Sequence, residues 1–263
     1  MSDWLHRAMQ AADAQPLRPR STLFLAFGGA ARRIGSIEPA VASLLLEAGG
    51  MLDRHGDGFC VPAPADASFA TIAAWLRDRR LAGPWRDELL SVVDDEGHVL
   101  GSIERAAVRV LGLRTFAVHL VGRADDGHVW VQQRAFDKST DPGLWDTLMG
   151  GQVAAGESTL TTLERETMEE AGLLLSDLRD LEAGEAVVVR RPVAEGYMVE
   201  RIDVFRARLP GYVVPINRDG EVERFECIDG ATLRERLEDG AFTLEASLIL
   251  AAELARAAGS LPG

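Results

Sequence analysis

Residues 151–173 read GQVAAGESTLTTLERETMEEAGL. Gly150-Gly151 and Ala155-Gly156 punctuate the entry and predict a tight loop. Ser158 is a good helix N-cap type. Ala171-Gly172 closes the following run, with glycine where a left-handed C-cap residue is wanted. The spacing therefore predicts a loop followed by a helix of about four turns. At 100° per residue, Leu160, Leu163, Thr167 and Ala171 share a stripe that should pack on a sheet. Glu166, Glu169 and Glu170 stand at i, i+3 and i+4, so their carboxylates converge. Like charges at that spacing destabilise a helix unless something compensates them. A hard divalent cation with oxygen ligands, Mg²⁺ or Mn²⁺, is the natural compensation. A solvated acidic face is the plain alternative.

These residues resemble the Nudix box, in which a glycine is followed at fixed intervals by Glu, Arg-Glu, Glu-Glu and Gly-aliphatic. Gly151, Glu157, Arg165, Glu166, Glu169, Glu170, Gly172 and Leu173 fill the fixed positions, and Thr167 stands where the pattern has an aliphatic. The resemblance implies metal-dependent hydrolysis of a diphosphate linkage. It also implies an α/β/α sandwich with a mixed sheet. It assigns Glu166, Glu169, Glu170 and the main-chain carbonyl of Gly151 as metal ligands, with Glu170 the central one. Arg165 and Glu157 are then expected to fasten the loop to the helix.

The chain has 263 residues, 47% hydrophobic and 26% charged, with a net charge of −13. It is long enough for two modest domains and can bury a sizeable core. The acidic balance argues against nucleic acid or an anionic membrane as main partner. An anionic substrate is still allowed, because bound cations invert the local field. The two cysteines, Cys60 and Cys227, form no disulfide or zinc pattern. Residues 1–17 read as an amphipathic helix rather than a leader, and no run is long and apolar enough to span a bilayer. A cytoplasmic protein is expected.

Along the chain, strands are expected at residues 22–26, 33–37 and 58–61, with helices at 39–47 and 69–81. Residues 89–93 and 98–103 flank a turn, and 104–111 reads as a helix. Residues 34–38 and 100–104 match as IGSIE and LGSIE. They suggest two copies of a hairpin-plus-helix unit. Gly112 marks the expected boundary between a small α+β domain, 1–111, and a hydrolase domain, 112–263. Beyond it, strands are expected at 116–121, 129–133, 186–190, 198–208 and 221–228, and helices at 232–238 and 244–258. Strands on both sides of the box helix imply helices on both faces of a mixed sheet.

The resemblance reaches outside the box. Residues 85–88 (WRDE), 103–105 (IER), 118–120 (VHL) and 141–146 (DPGLWD), with Arg134 and Lys138, look like a Nudix subgroup. That subgroup has an extra N-terminal domain and is described as thiamine-pyrophosphokinase-related. It implies thiamine diphosphate or its oxidised analogues as substrates, with nucleotide diphosphates such as ADP-ribose as the alternative. No phosphate loop GxxxxGK[ST] is present, so nothing suggests a kinase.

Diphosphate hydrolysis needs charge neutralised on phosphate oxygens and a water aimed at phosphorus. The candidate catalytic set is Glu166, Glu169, Glu170, Arg165 and Glu221. Glu223 and Glu226 are further candidates for an outside base: period-2 alternation puts Glu221 and Glu223 on one face and Glu226 on the other, and Glu221 ranks slightly ahead because it follows Asp219-Gly220 at the strand's start. Arg134 is a candidate phosphate fork and Lys138 a second substrate contact. Trp130, Trp145 and His119 fit core packing. An isopentenyl-diphosphate-isomerase-like enzyme needs a cysteine at the site, and neither Cys60 nor Cys227 is placed for it. A non-catalytic binding module would be expected to have lost box glutamates. The partner expected is a small diphosphate, with a homodimer allowed.

Overall fold

The structure, a computed structural model, describes residues 3–259. Helix α1 (Asp3–Ala12) precedes β1 (Ser21–Phe27), β2 (Ala30–Ile37), α2 (Pro39–Glu47), β3 (Asp53–His55), β4 (Gly58–Val61) and α3 (Ala65–Asp78). Hairpin β5 (Leu89–Val93) and β6 (Val99–Glu104) ends in a 3-10 turn, Arg105–Ala107. Then come β7 (Arg114–Ala124), β8 (Val129–Arg134), β9 (Trp145–Asp146), β10 (Met149–Gln152) and α4 (Thr159–Ala171). The chain finishes with β11 (Arg179–Ala183), β12 (Val187–Val193), β13 (Gly196–Leu209), β14 (Val222–Ile228), α5 (Gly230–Glu238) and α6 (Leu244–Ala257).

Two sheets anchor separate cores. The first is β2-β1-β4-β3, with β1 and β4 parallel. Its Leu23, Leu25 and Val61 meet Leu45 of α2 and Phe69, Ile72 and Leu76 of α3. The β5–β6 hairpin adds Leu90 and Ile103 to the same core.

The second sheet has eight strands around β11-β13-β7-β8-β14, with β10 beside β7. Strand β13 runs parallel to β7 and the other pairings are antiparallel, so the sheet is mixed. Alternation along β7 makes it a two-faced centre. Val118 and Leu120 join Leu163 and Ala171 of α4. Ala117 and Val121 join Leu233 of α5 and Ile249 and Leu250 of α6. The α/β/α sandwich and the α+β region before it are thus both present. Helix α1, first in sequence, contributes Ala12 and Trp4 to the α5–α6 side. Among the described residues no helix is long and apolar enough to cross a membrane.

Three expectations change. Residues 104–111 make only the 3-10 turn and further turns, not an α-helix. Its carbonyls are drawn to other segments: Ala106 O, which such a helix would use internally, accepts from Gly83 N, and Arg109 O and Leu111 O accept from Tyr197 N and Ser36 N. The two similar hairpins therefore lead into different structures. Helix α3 begins at Ala65 rather than near residue 69. Leu160 is 54% exposed instead of packed on the sheet, because it lies in the first turn of α4 at the edge of the buried stripe.

Candidate active site

The box loop and α4 fold as their residues dictate. Ser158 Oγ accepts from Thr161 N at 3.1 Å, and Gly172 adopts φ +66° as C-cap. Gly151 lies against Glu166: a Cβ there would come 2.6 Å from Oε1 and closer still to Cγ. Only glycine lets the loop cross the helix at this distance. Gly150 pairs in register with His119 of β7, and a Cβ there would come 2.8 Å from its ring.

Arg165 is the hub of the helix start. Its Nε and Nη2 donate to the two oxygens of Glu157, both at 3.0 Å. Its Nη1 donates to Glu166 and Glu169, each at 2.9 Å. The bond to Glu157 holds Arg165 above the ordinary guanidinium range, and the same bond lowers Glu157. Thr162 Oγ1 also donates to Glu157. Four of Arg165's five N–H groups are thus engaged within the protein.

Glu170 is 3% exposed. Its Oε2 accepts from Gln132 Nε2 at 3.0 Å and from Gly150 N at 3.2 Å. Burial pushes it up to about 8, against the pull of Lys138, Gln132 and the Gly150 amide. Burial likewise raises Glu166 to about 7, with Glu169 and Glu221 adding to the rise and Arg165 opposing it. Glu169 is half exposed. Opposite α4, Lys138 Nζ lies 3.9 Å from Glu170 Oε1 and bonds Glu221 Oε2. Glu221 sits below the ordinary carboxylate range: burial works against this, and the bond and charge of Lys138, with Arg134 and Arg105, outweigh it.

The other sequence candidates separate. Arg134 turns its fork inward, with Nη2 on Thr140 O at 2.9 Å and Nη1 3.5 Å from Asp146. It closes the 135–146 loop instead of standing open to phosphate. A bulge between Val222 and Arg224 breaks the expected alternation on β14. Glu226 pairs with Arg236 and Arg224, and Glu223 is exposed. Trp145 is buried under Arg236. Cys60 lies on β4 in the first sheet and Cys227 on β14, and burial raises both thiols.

Three residues near the site escaped the sequence reading of roles. Gln132 is a polar residue on an apolar strand, which was its only signal. Arg86 and Arg105 come from the WRDE and IER motifs, which lock together. Arg105 Nη1 donates to Glu88 at 2.7 Å, and Glu104 accepts from Arg86 N at 2.9 Å. Arg86 Nη2 donates to Ser139 Oγ, beside Lys138. Both arginines line a pocket with Gln152 and Thr140.

By chemistry the donors suit a hard divalent cation, but the three box carboxylates do not converge within 4.8 Å of one another as their spacing implies. Every side-chain ligand is a carboxylate oxygen, and the Lys138 ammonium stands in for a cation between Glu170 and Glu221. Buried Gln132 Oε1 has no hydrogen-bond partner beside them. A second group, Asp94, Glu96 and His98, lies on the β5–β6 turn, but Arg32 already pairs with both acids.

The NUDIX domain family model matches residues 113–245, half of the chain. This chain belongs to the Nudix family. Nudix hydrolase 20, chloroplastic, of Arabidopsis thaliana is 30% identical over 197 residues, covering 69% of this chain and 50% of its own length. Such a span is longer than residues 113–263, so the likeness reaches back before residue 113. Nudix hydrolase 24, chloroplastic, of the same plant is 38% identical over 134 residues, covering 48% of this chain and 36% of its own. The chain thus spans half or less of these relatives' length. The crystal structure of DR0079 from Deinococcus radiodurans matches with a TM-score of 0.51 at 24% identity, over 64% of this chain and 98% of that one. At that identity the likeness concerns the fold.

Proposed function

We propose that this chain hydrolyses a diphosphate linkage in a small molecule, using Mg²⁺ or Mn²⁺. The observation that carries the reading is Lys138 set between Glu170 and Glu221, with Glu166 near enough to Glu221 to feel its charge, beside a pocket lined by Arg86 and Arg105. Glu166, Glu169, Glu170 and the Gly151 carbonyl would hold the cation. When bound, it would neutralise charge on the diphosphate and make a bound water more acidic. Arg86 and Arg105 receive the non-bridging oxygens. Glu221, ionised at neutral pH, takes a proton from the attacking water. The water oxygen bonds to phosphorus, the bridging P–O bond breaks, and its electron pair leaves with the departing phosphate. Lys138 steadies Glu221 and adds positive charge.

Residues 112–263 form the hydrolytic unit in this reading, and residues 1–111 wall one side of the pocket. The support is that Gly83, Arg86, Arg105 and Arg109 share its lining with Ser139, Gln152 and Glu200. The likeness of residues 85–88, 103–105 and 141–146 to the thiamine-pyrophosphokinase-related subgroup puts thiamine diphosphate and its oxidised analogues first for testing. ADP-ribose comes second.

Hydrolysis is measured with Mg²⁺ across these substrates, as inorganic phosphate release or, for ADP-ribose, as release of AMP and ribose 5-phosphate, with isopentenyl diphosphate added and its isomer sought by NMR. Release from at least one substrate, abolished by excess EDTA and reduced about 10²-fold or more in E221Q, is expected. Release that persists in EDTA, or isomerisation without release, would sink the proposal.

A further inference from the structure

Glu200, on β13, faces the same pocket together with Thr115, Gln152 and Met198. Its Oε1 accepts from Thr115 Oγ1 at 2.8 Å and from Gln152 Nε2 at 3.0 Å. Gln152 is itself held by Phe116 O at 2.8 Å. Two donors therefore fix the carboxylate in place. Its Oε2 receives no hydrogen bond from any described residue, and no described cation pairs with it. Each of the pocket's arginines has one described side-chain partner, Arg105 with Glu88, Arg109 with Glu195 and Arg86 with Ser139, and none pairs with Glu200.

A fixed, unpaired carboxylate is an odd wall for a pocket meant for a polyanion. It costs desolvation when a ligand covers it and repels phosphate. The cost is recovered only if the ligand brings a donor or a positive charge to Oε2. Arg86 and Arg105 mark the phosphate side, since Arg86 binds the loop residue next to Lys138. Glu200 then meets the organic group on the other phosphate.

Resting on the hydrolase reading above, we infer that Glu200 is a specificity determinant that selects an N–H donor or cationic nitrogen on the organic group. The substrate class is then a diphosphate of an amino-bearing or cationic nitrogen heterocycle, and simple alkyl diphosphates are disfavoured.

The test uses the full chain with Mg²⁺ and compares wild type with E200A and E200Q. Thiamine diphosphate and ADP-ribose supply nitrogen heterocycles; isopentenyl diphosphate and inorganic pyrophosphate have no nitrogen. Circular dichroism and melting confirm folding, and isosteric E200Q serves if E200A does not fold. The preference in kcat/KM for nitrogen-bearing over nitrogen-free substrates should fall about 10- to 100-fold in E200A, through KM rather than kcat. An unchanged preference, an equal loss on all substrates, or a loss confined to kcat overturns the inference while leaving the hydrolase reading intact. Wild type hydrolysing none of the four, read as inorganic phosphate or as AMP from ADP-ribose, refutes the hydrolase reading instead. Equilibrium dialysis of labelled thiamine diphosphate and ADP-ribose then decides on Glu200. Binding by wild type that E200A loses supports it, and equal binding, including none, overturns it.

Discussion

Glu170 is buried on α4 with two neutral donors and a lysine nearly 4 Å away. A carboxylate so placed is costly without a strong partner. E170Q should lower kcat by about 10³-fold or more while circular dichroism stays unchanged. Because the folded chain holds the protons of Glu166 and Glu170 more tightly than the unfolded chain does, ionising them weakens the fold. Buried Glu245 is raised in the same direction. The melting temperature of the metal-free protein should therefore fall as pH rises from the ordinary carboxylate range to about 8, and Mg²⁺ should restore it. A metal-free Tm that rises over that window would contradict the placement. Thr167 offers a separate check. Its Oγ1 is buried without a partner in the box's aliphatic position. T167V should raise stability by about 1 kcal/mol in urea melts. At this scale the sequence placed Glu166, Glu169 and Glu170 on α4, since fixed spacing on a helix fixes faces, and the resemblance pointed to the Glu157–Arg165 pair. The sequence did not reveal that Arg134 turns to Thr140 and Asp146, because a charge in a sequence carries no direction.

Helix α4 was legible end to end, since both caps are written in local residue types. Its contact with the loop was not, because nothing in the spacing says that Gly151 touches Glu166. G151A should push the Glu166 carboxylate out of position and lower kcat about 10²-fold, with a smaller effect on Tm; wild-type kcat in G151A would contradict the close crossing. The 104–111 segment was misread for a related reason. Its composition suits a helix, yet its carbonyls answer donors from residues 83, 197 and 36, which no local pattern announces. The short strands β3, β9, β10 and β11 were likewise missed, being pairings decided by their neighbours more than by their own residues.

Over the whole molecule, the sandwich followed from alternating strands and two late helices, whereas the placement of α1 did not. Its apolar face could have joined either core, and the structure sets it on the α5–α6 side. The parallel ladder between β7 and β13 has a further consequence. It joins Arg114 to Val199 and Ala124 to Leu209, each pair 85 positions apart. Closing so long a loop costs chain entropy before any pairing rewards it, which makes the ladder slow to form. The residues proposed to hold the cation lie on β10 and α4, inside that loop, and Glu221 lies beyond it. A cation that binds only after the loop has closed would leave the climb to the folding barrier unchanged and hold the native state once reached. In stopped-flow chevrons, Mg²⁺ should leave the refolding limb where it is and lower the unfolding limb. A faster refolding limb would mean that the metal helps nucleate the chain.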